Sequence, residues 1–401
     1  MRDRLPFVFI FLTLTLDAVG IGLILPVMPD LIREVNGGVL GEAAIWGGIL
    51  VTSFAVMQFL FGPFIGSLSD RYGRRPVLLI SLFVMAADYL VMAVAGSIWL
   101  LLIARIVGGI TAATQATALA FIADISKPEE KSKNFGLMGA AFGIGFVLGP
   151  ALGGALAEFG TRAPFWAAAG LAALNVVLGW FVMPETVNDT IRRKFELRRA
   201  NPFGAFQALR ALPGVARYML LFLFYELAFI VYPATWAYFT QERFGWGPGT
   251  IGVSLALFGV AMVLVQGVLI RVVLARLGER GTVLYGLFFN ALAFICLAFV
   301  TSPTLALILT PLTALGAVVT PALQGIMSRK AHDNQQGELQ GVISSVRSVA
   351  YMVGPLLMTQ IFAAFTLWPT LPYMPGAPFL MSMLIMLVCL AIFLTRKRMS
   401  T

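Results

Sequence analysis

Long apolar runs recur along this chain, and their length limits its fold more than any other feature. A run of about 20 residues in helical conformation rises ~1.5 Å per residue and crosses a hydrocarbon core ~30 Å thick. Hydrophobic residues make up 59% of the chain and charged residues only 12%, whereas a soluble domain carries about 25% charge. Barrel strands would alternate over segments of only ~10 residues. The sequence therefore predicts an all-α polytopic membrane protein.

Twelve spans are predicted, in two sets of six. They lie near 5–28, 44–65, 77–96, 98–122, 133–158, 163–184, 214–240, 248–270, 281–300, 304–327, 338–366 and 376–395. The predicted domains are an N-terminal six-helix bundle (1–184), a cytoplasmic basic linker (185–213) and a C-terminal six-helix bundle (214–401). The linker mixes Phe and Leu with Arg and Lys. Two interpretations stay open for it, a segment lying on the anionic inner leaflet or a solvated tether.

The basic residues predict the orientation of the chain. Of its 28 Lys and Arg residues, only Arg33, Arg162 and Arg243 fall in loops on the outer side, and Arg105 and Arg347 fall inside spans. Because cytoplasmic loops collect Lys and Arg, both termini are predicted to be cytoplasmic. The net charge of +9 then reports membrane topology, and no nucleic-acid partner is expected.

A short basic loop joins the second and third predicted spans. It reads Gly66-Ser-Leu-Ser-Asp70-Arg71-Tyr-Gly73-Arg74-Arg75-Pro76. One acid among these bases can pair with them and lock neighbouring helix ends, or release them. The loop is predicted to gate the cytoplasmic face through Gly66, Asp70, Arg71, Gly73, Arg74 and Arg75. A shift of 205 residues overlays the two halves, so that Gly73 falls on Gly278 and Asp70 on Ala275.

The fifth span carries a string of small residues. Its members are Gly145, Gly149, Pro150, Gly153 and Gly154. Glycines four residues apart let helix backbones approach closely, and a proline bends the helix between them. The string can be a functional motif or an ordinary packing face, because membrane helices often carry such glycines.

Five ionisable residues are predicted deep inside spans. They are Asp17, Asp88, Arg105, Glu226 and Arg347. Each is expected at a depth of ~15–18 Å, which suggests one shared polar cavity. Static ion pairs that only fix helix packing are the alternative. The only histidine, His332, lies in a loop, so carboxyl groups are the candidates for proton transfer. Proton coupling is assigned to Asp17 and Asp88 with Arg105 in the first half, and Glu226 stays open as a further route. Glu226 and Arg347 are further predicted to pair with each other.

Uncharged residues near these charges are candidates for substrate contact. Gln58, Gln115 and Gln266 lie within spans, and Tyr225, Phe229 and Tyr232 share the seventh span with Glu226. Aromatic rings beside an acid suit a flat or cationic ligand. For the glutamines, interhelical hydrogen bonding is an equally good interpretation.

These motifs resemble those of the major facilitator superfamily. The basic loop fits the superfamily pattern G-x-L-[AS]-D-R-x-G-R-[RK]-P, and the fifth-span string resembles the signature of its antiporter branch, which implies export. Arg105-Ile-Val-Gly108-Gly109 resembles a motif whose buried Arg is tied to proton coupling. The resemblance implies two pseudo-symmetric bundles with a substrate site near the midplane.

A closer resemblance covers nearly the whole chain. Strings such as Leu16-Asp17-Ala-Val-Gly20-Ile-Gly22, Asp88-Tyr89 and Gln336-Gly337-Glu-Leu-Gln340-Gly341 are similar to those of the tetracycline/proton antiporters. In that family the acids matching Asp17, Asp70 and Asp88 and the arginine matching Arg105 are needed for transport, and the glutamine matching Gln58 is tied to substrate handling.

The second half departs from that family. Met262 stands where the family has His, and Asn290 stands where it has Asp, while Glu226 and Arg347 have no known counterpart. The predicted substrate-binding residues are Gln58, Gln115, Tyr225, Glu226, Phe229, Tyr232, Met262, Gln266, Asn290 and Arg347.

The resemblance implies proton-coupled efflux of a drug-like amphipathic molecule of the tetracycline type, by alternating access across a bacterial inner membrane. No cofactor or resident metal is expected beyond the proton gradient, although the substrate can arrive as a metal chelate. The expected partners are the substrate, protons and lipid, and the expected functional unit is a monomer. The alternatives are an exporter of another metabolite or a sugar-type solute, a membrane enzyme and a sensor. An enzyme would need a nucleophile–base pair or a metal cluster within the spans, and neither is visible in the sequence.

Overall fold

The computed structural model describes residues 5–112, 114–188, 192, 201–204, 212, 214–332 and 335–395. Helices dominate these residues, which contain no β-strand. Most of the predicted linker, including its run of bases at 193–200, lies outside the described residues. The interpretation of that linker therefore stays a prediction.

The first half contains eight helices among its described residues. They are α1 (Leu5–Ile24), α2 (Met28–Asn36), α3 (Leu40–Tyr72), α4 (Arg74–Val94), α5 (Ile98–Thr111), α6 (Thr114–Ile125), α7 (Lys131–Leu156) and α8 (Ala163–Val182). The predicted fourth span is thus described as two helices, α5 and α6, and Ala112, the residue after α5, is not helical.

The second half continues with eight more. They are α9 (Ala216–Phe229), α10 (Val231–Phe244), α11 (Pro248–Leu264), α12 (Ile270–Phe299), α13 (Pro303–Thr313), α14 (Val319–Lys330), α15 (Gln336–Leu367) and α16 (Ala377–Leu394). A π-helical turn, Val265–Leu269, joins α11 to α12, and a 3-10 turn, Ala314–Val318, joins α13 to α14.

The prediction of an all-α polytopic membrane protein is confirmed. Within the described part of the chain, 11 helical stretches are long and apolar enough to cross a membrane. The longest, Pro248–Phe299, has 52 residues and would extend ~78 Å if straight, more than twice the thickness of a hydrocarbon core. Gly278 leaves the helical conformation inside it, with φ 63° and ψ 179°. This stretch therefore supplies both the eighth and the ninth predicted spans.

The predicted gating loop is mostly helical, which corrects the sequence interpretation. α3 continues to Tyr72 and α4 begins at Arg74, so only Gly73 interrupts the helices. Gly73 has φ 116° and ψ 154°, a conformation that a residue with a Cβ atom rarely adopts. Gly66 and Asp70 lie in the last turns of α3. The helix α3 continues beyond its apolar run because long charged side chains at the end of a span reach the water while their backbone stays helical.

Two compact units make up the chain. One comprises 1–38, 53–202 and 247–256, and the other comprises 39–52, 203–246 and 257–401. Each unit thus takes one short segment from the opposite half of the sequence. Within the second of these units, Gly48 of α3 packs against α15. A Cβ atom added at Gly48 would lie 3.3 Å from Leu356 Cα. Gly252 of α11 likewise packs on Gly154 of α7. The division into two six-helix bundles stays a prediction.

The glycine string of the fifth span brings α7 onto α1. These two helices make the most extensive interhelical contact in the described residues. A Cβ atom at Gly149 would lie 2.7 Å from Gly22 Cα, and Gly145 and Gly153 face backbone carbonyls of α1 in the same way. Residues at positions i, i+4 and i+8 share one helix face, so three glycines form a continuous flat surface.

We predict that Gly149→Ala destabilises the protein, because the added methyl group has no room between α7 and α1. Overpacking of this kind costs ~1–3 kcal/mol. The thermal unfolding midpoint of purified protein in detergent measures the effect. Gly143→Ala is the matched control on the same helix, since a Cβ there meets nothing within 4 Å. Equal midpoints for the two variants would contradict this account of the glycine string.

Candidate functional site

A buried ion pair lies inside the first unit. Arg105 of α5 contacts Asp88 of α4 through Nη2 and Oδ2, and the Phe54 ring lies 5.3 Å from Arg105 Cζ. The side chain of Arg105 is only 10% exposed and that of Asp88 only 4%. Asp88 Oδ1 and Arg105 Nε have no hydrogen-bond partner among the described residues. The pair therefore keeps polar atoms that a proton or a water molecule can engage.

Two glycines explain why the chain can hold this pair. Gly108 and Gly109 follow Arg105 by one turn of α5. A Cβ at Gly108 would lie 3.2 Å from Asp88 Oδ2, and a Cβ at Gly109 would lie 2.8 Å from Met57 Cβ. The absence of side chains there lets α5 approach both α3 and α4.

Asp17 is buried on α1, separate from the pair. Its burial is not offset by an ion pair with any described residue. Tyr89, the residue after Asp88, reaches α1, because its hydroxyl lies 2.7 Å from the Cβ position of Gly20. Gly20 is one turn from Asp17 along α1. Of the two candidate acids, Asp88 is thus the partner of Arg105.

A second polar cluster surrounds the start of α4. Arg74 Nη1 lies 2.6 Å from Asp70 Oδ1, and Arg74 Nε lies 3.1 Å from Asp124 Oδ2. The partner of Asp70 is therefore Arg74. Arg71 is exposed and lies over the ring of Tyr72.

Glu185 completes this cluster and was missed by the sequence analysis. Its carboxylate accepts hydrogen bonds from the backbone N–H groups of Arg74 (2.9 Å) and Arg75 (3.2 Å). A carboxylate at a helix N-terminus is favourable, because the first N–H groups there lack helical partners. Arg75 Nη2 donates to the Trp180 carbonyl at 2.6 Å. The available signal was a lone acid directly after the sixth span, and this position suits a cap on the neighbouring helix.

The second half repeats this contact with its charges reversed. Glu279, directly after Gly278, forms an ion pair with Arg329 of α14. A shift of 205 residues places Arg74 on Glu279 and Asp124 on Arg329. The second half therefore has Ala275 in place of Asp70, and in its ion pair the acid and the base have exchanged positions relative to the first half.

The predicted pair between Glu226 and Arg347 is present in the second unit. Arg347 Nη2 lies 3.3 Å from Glu226 Oε1, with the arginine side chain 43% exposed and the glutamate side chain 12% exposed. The guanidinium also lies over the Phe222 ring at 5.5 Å. Thr320 also lies beside Glu226.

The predicted proton-coupling residues therefore fall into two groups. Asp17, Asp88 and Arg105 belong to the first unit, and Glu226 belongs to the second. The shared cavity that their common depth suggested stays a prediction.

The aromatic candidates of the seventh span are largely packed inside the second unit. The Tyr232 ring lies 5.1 Å from Phe258, 5.6 Å from Phe294 and 6.1 Å from Phe379. Tyr225 is buried beside Thr320 and Asn290, and Phe229 is half-buried. Their contact with substrate stays a prediction.

The amide candidates occupy irregular points of the helices. Gln58 donates to the Ala112 carbonyl at 3.3 Å, where α5 ends, and Asn290 donates to the Gly316 carbonyl at 3.0 Å. Gln266 is exposed within the π-helical turn that begins one turn after Met262. Such turns are frequent at functional sites. Gln115 is exposed on α6.

The architecture and these motif residues agree with the comparison to known families. The family model described as Major Facilitator Superfamily matches residues 10–355 and 218–401. The chain belongs to the Major Facilitator Superfamily. Its members are transporters, and this superfamily protein has the polytopic helical architecture expected of one.

Relatives and solved structures extend this assignment. The chain is 42% identical over 378 residues to the tetracycline resistance protein, class C, of Escherichia coli, covering 94% of this chain and 95% of that protein. It is 39% identical over 349 residues to the class G protein of Vibrio anguillarum, covering 87% and 88%. The crystal structure of the nucleoside transporter NupG superposes with a TM-score of 0.74 at 11% identity, covering 98% of this chain and 100% of that one. At that identity the likeness concerns the fold alone.

The reversed pair in the second half generates a double-mutant prediction. Glu279→Arg or Arg329→Glu alone places like charges together and should lower the thermal midpoint. The effect is small, on the order of 1 kcal/mol, since Arg329 is largely exposed. The double variant Glu279→Arg/Arg329→Glu restores opposite charges in the polarity of the first half and should recover most of the loss. Additive losses in the double variant would show that the contact contributes no coupling energy.

Proposed function

We propose that this superfamily member is a proton-coupled secondary active exporter of drug-like amphipathic molecules, with tetracycline-type compounds among them. It would work by alternating access in a bacterial inner membrane, as a monomer and without a cofactor or enzymatic activity. The observation that carries the proposal is the buried Asp88–Arg105 pair. Its residues stand where the tetracycline/proton antiporters, which this chain resembles, carry an acid and an arginine needed for transport.

The pair supplies a physical route to coupling. Ionised Asp88 compensates the charge of Arg105, and a proton on Asp88 removes that compensation. Breaking a buried pair leaves an uncompensated charge, which typically costs ~3–5 kcal/mol. A conformation that hydrates Arg105 lowers this penalty. Proton uptake and conformation therefore bias each other, which is the requirement for coupled transport.

Asp17 provides a second protonation site in the same unit. It is buried without an ion-pair partner among the described residues, so its charge depends directly on access to water. Tyr89 connects the two regions, because it follows Asp88 and its hydroxyl approaches Gly20 on the helix of Asp17. We infer that protons pass through both acids during one cycle.

The cluster around Arg74 is suited to gating. Arg74 joins the end of α3, through Asp70, to Asp124 at the end of α6. Glu185 holds the start of α4 by its backbone N–H groups. Separation of these helix ends would break the ion pairs together, so the cluster favours one conformation without contacting substrate.

We predict that Asp88→Asn abolishes proton-linked transport, because the amide neither carries the charge that pairs with Arg105 nor binds a proton. In inverted membrane vesicles, tetracycline accumulation driven by ΔpH should fall at least tenfold at equal protein content. Glu42→Gln is the control, since it neutralises an exposed acid outside the site. Wild-type accumulation by Asp88→Asn, still dependent on ΔpH, would remove Asp88 from the mechanism. If the wild type accumulates neither tetracycline nor any other drug in a panel, the proposed function is wrong.

Asp70→Asn should lower turnover while leaving equilibrium substrate affinity nearly unchanged. The variant loses its ion pair with Arg74, whereas Arg74 keeps Asp124. Initial uptake rates in inverted vesicles measure turnover, and equilibrium binding to purified protein measures affinity. A large loss of affinity with normal turnover would contradict the gating role.

A further inference from the structure

Arg347 has hydrogen-bonding capacity that the protein does not use. A guanidinium carries five N–H donors, and the described residues supply one hydrogen bond, from Nη2 to Glu226 at 3.3 Å. Charge-assisted N–H···O bonds are normally ~2.7–2.9 Å long, so even this contact is loose. The remaining N–H groups of the Arg347 guanidinium have no acceptor among the described residues.

The exposed part of Arg347 faces a polar space. A charged group exposed to lipid in the middle of a span is costly, and arginines there normally face a water-filled cavity. Arg347 is 43% exposed although Glu226 and Phe222 of α9 cover its other side. Tyr351, one turn further along α15, is 44% exposed. An arginine and an aromatic ring are thus presented side by side on this face of the second unit.

Helix packing alone does not account for the pair. The shift of 205 residues that relates the halves places Glu226 on Ile21 and Arg347 on Phe142. The equivalent helices, α1 and α7, carry no charge at these two positions and pack through Gly22, Gly145 and Gly149. The same helix contact is therefore built elsewhere in this chain from apolar residues, which leaves the charges of the second half to be explained by something other than packing.

The accessibility of the two charges indicates the sign of the ligand group. Glu226 is only 12% exposed, and Arg347 and Thr320 lie against it. A cation could reach it only by displacing Arg347. An anion reaches the free side of the guanidinium directly, and the planar fork can keep one nitrogen on Glu226 while it offers others to a carboxylate or enolate.

We propose that Arg347 is a substrate-binding residue that receives an anionic oxygen, carboxylate or enolate, of an amphipathic aromatic substrate. Glu226 positions the guanidinium, the buried Phe222 ring packs against it, and the exposed Tyr351 ring provides aromatic surface beside it. The proposal rests on the export function, since it names the substrate class of that same transporter: aromatic molecules with an anionic head group.

The test uses two probes that share one ring system and differ in the charge of a single group. Radiolabelled nalidixate, an aromatic carboxylate, and its neutral methyl ester are titrated against purified protein in lipid nanodiscs, without a proton gradient. The wild type should bind the carboxylate at least tenfold more tightly than the ester. Arg347→Gln should lose that preference and keep its affinity for the ester, while Arg347→Lys should keep part of the preference. Arg33→Gln, which removes an exposed arginine outside the site, should leave the preference unchanged.

Further variants separate ligand binding from folding. Arg347→Gln leaves Glu226 without its partner, so the double variant Glu226→Gln/Arg347→Gln restores neutrality and should fold like the wild type but still lack the preference. Glu226→Gln alone should weaken the preference without removing it, because Arg347 loses the residue that positions it but retains its charge. The proposal is overturned if the wild type shows no preference for the carboxylate, if either Arg347→Gln variant retains it, or if Glu226→Gln removes it as fully as Arg347→Gln.

The binding test is independent of transport. An Arg347-dependent preference in a protein that accumulates no drug under ΔpH would support the anion site and refute the export function. Proton-driven export without that preference would support the export function and refute the anion site.

Discussion

The high cost of an uncompensated charge inside a membrane governs the polar architecture of this protein. An isolated charge in a span costs several kcal/mol, so the chain pairs Asp88 with Arg105 and Glu226 with Arg347. Each pair joins two different helices. Removal of one partner, by protonation or by a competing ligand, therefore changes the interaction between helices. A membrane protein of this kind can convert a local binding event into a change of helix packing.

The two halves of the chain repeat one set of motifs with changed residues. Gly73 and Gly278 interrupt the helices at equivalent positions with positive φ, since the same backbone break is needed in both halves. The ion pair beside each break has opposite polarity, Arg74 with Asp124 in one half and Glu279 with Arg329 in the other. Both halves thus keep the helix break and the ion pair beside it, although the acid and the base have exchanged positions. An ion pair depends on opposite charges at a given distance, and either order satisfies that requirement.

The sequence predicted the spans well because length and hydropathy determine them directly. It also predicted the contact of Glu226 with Arg347, from their similar depth and from the adjacency of the helices that carry them. It did not predict that the loop at 66–76 is helix up to Tyr72, nor which of the loop's arginines pairs with Asp70. Both depend on the rotation of helix ends, which an apolar run does not encode. The role of Glu185 escaped for a similar reason, because capping of α4 by a residue 111 positions away in sequence is a tertiary contact.

The two intramembrane pairs differ in exposure, and this difference divides their roles. Asp88 and Arg105 are almost fully covered, at 4% and 10%, whereas Arg347 is 43% exposed. A covered pair responds to a proton, which needs little space, and excludes larger ligands. An exposed guanidinium can meet an organic anion while its glutamate partner remains in place. In the proposed exporter, the covered pair of the first unit would therefore sense the proton, and the exposed arginine of the second unit would recognise the substrate.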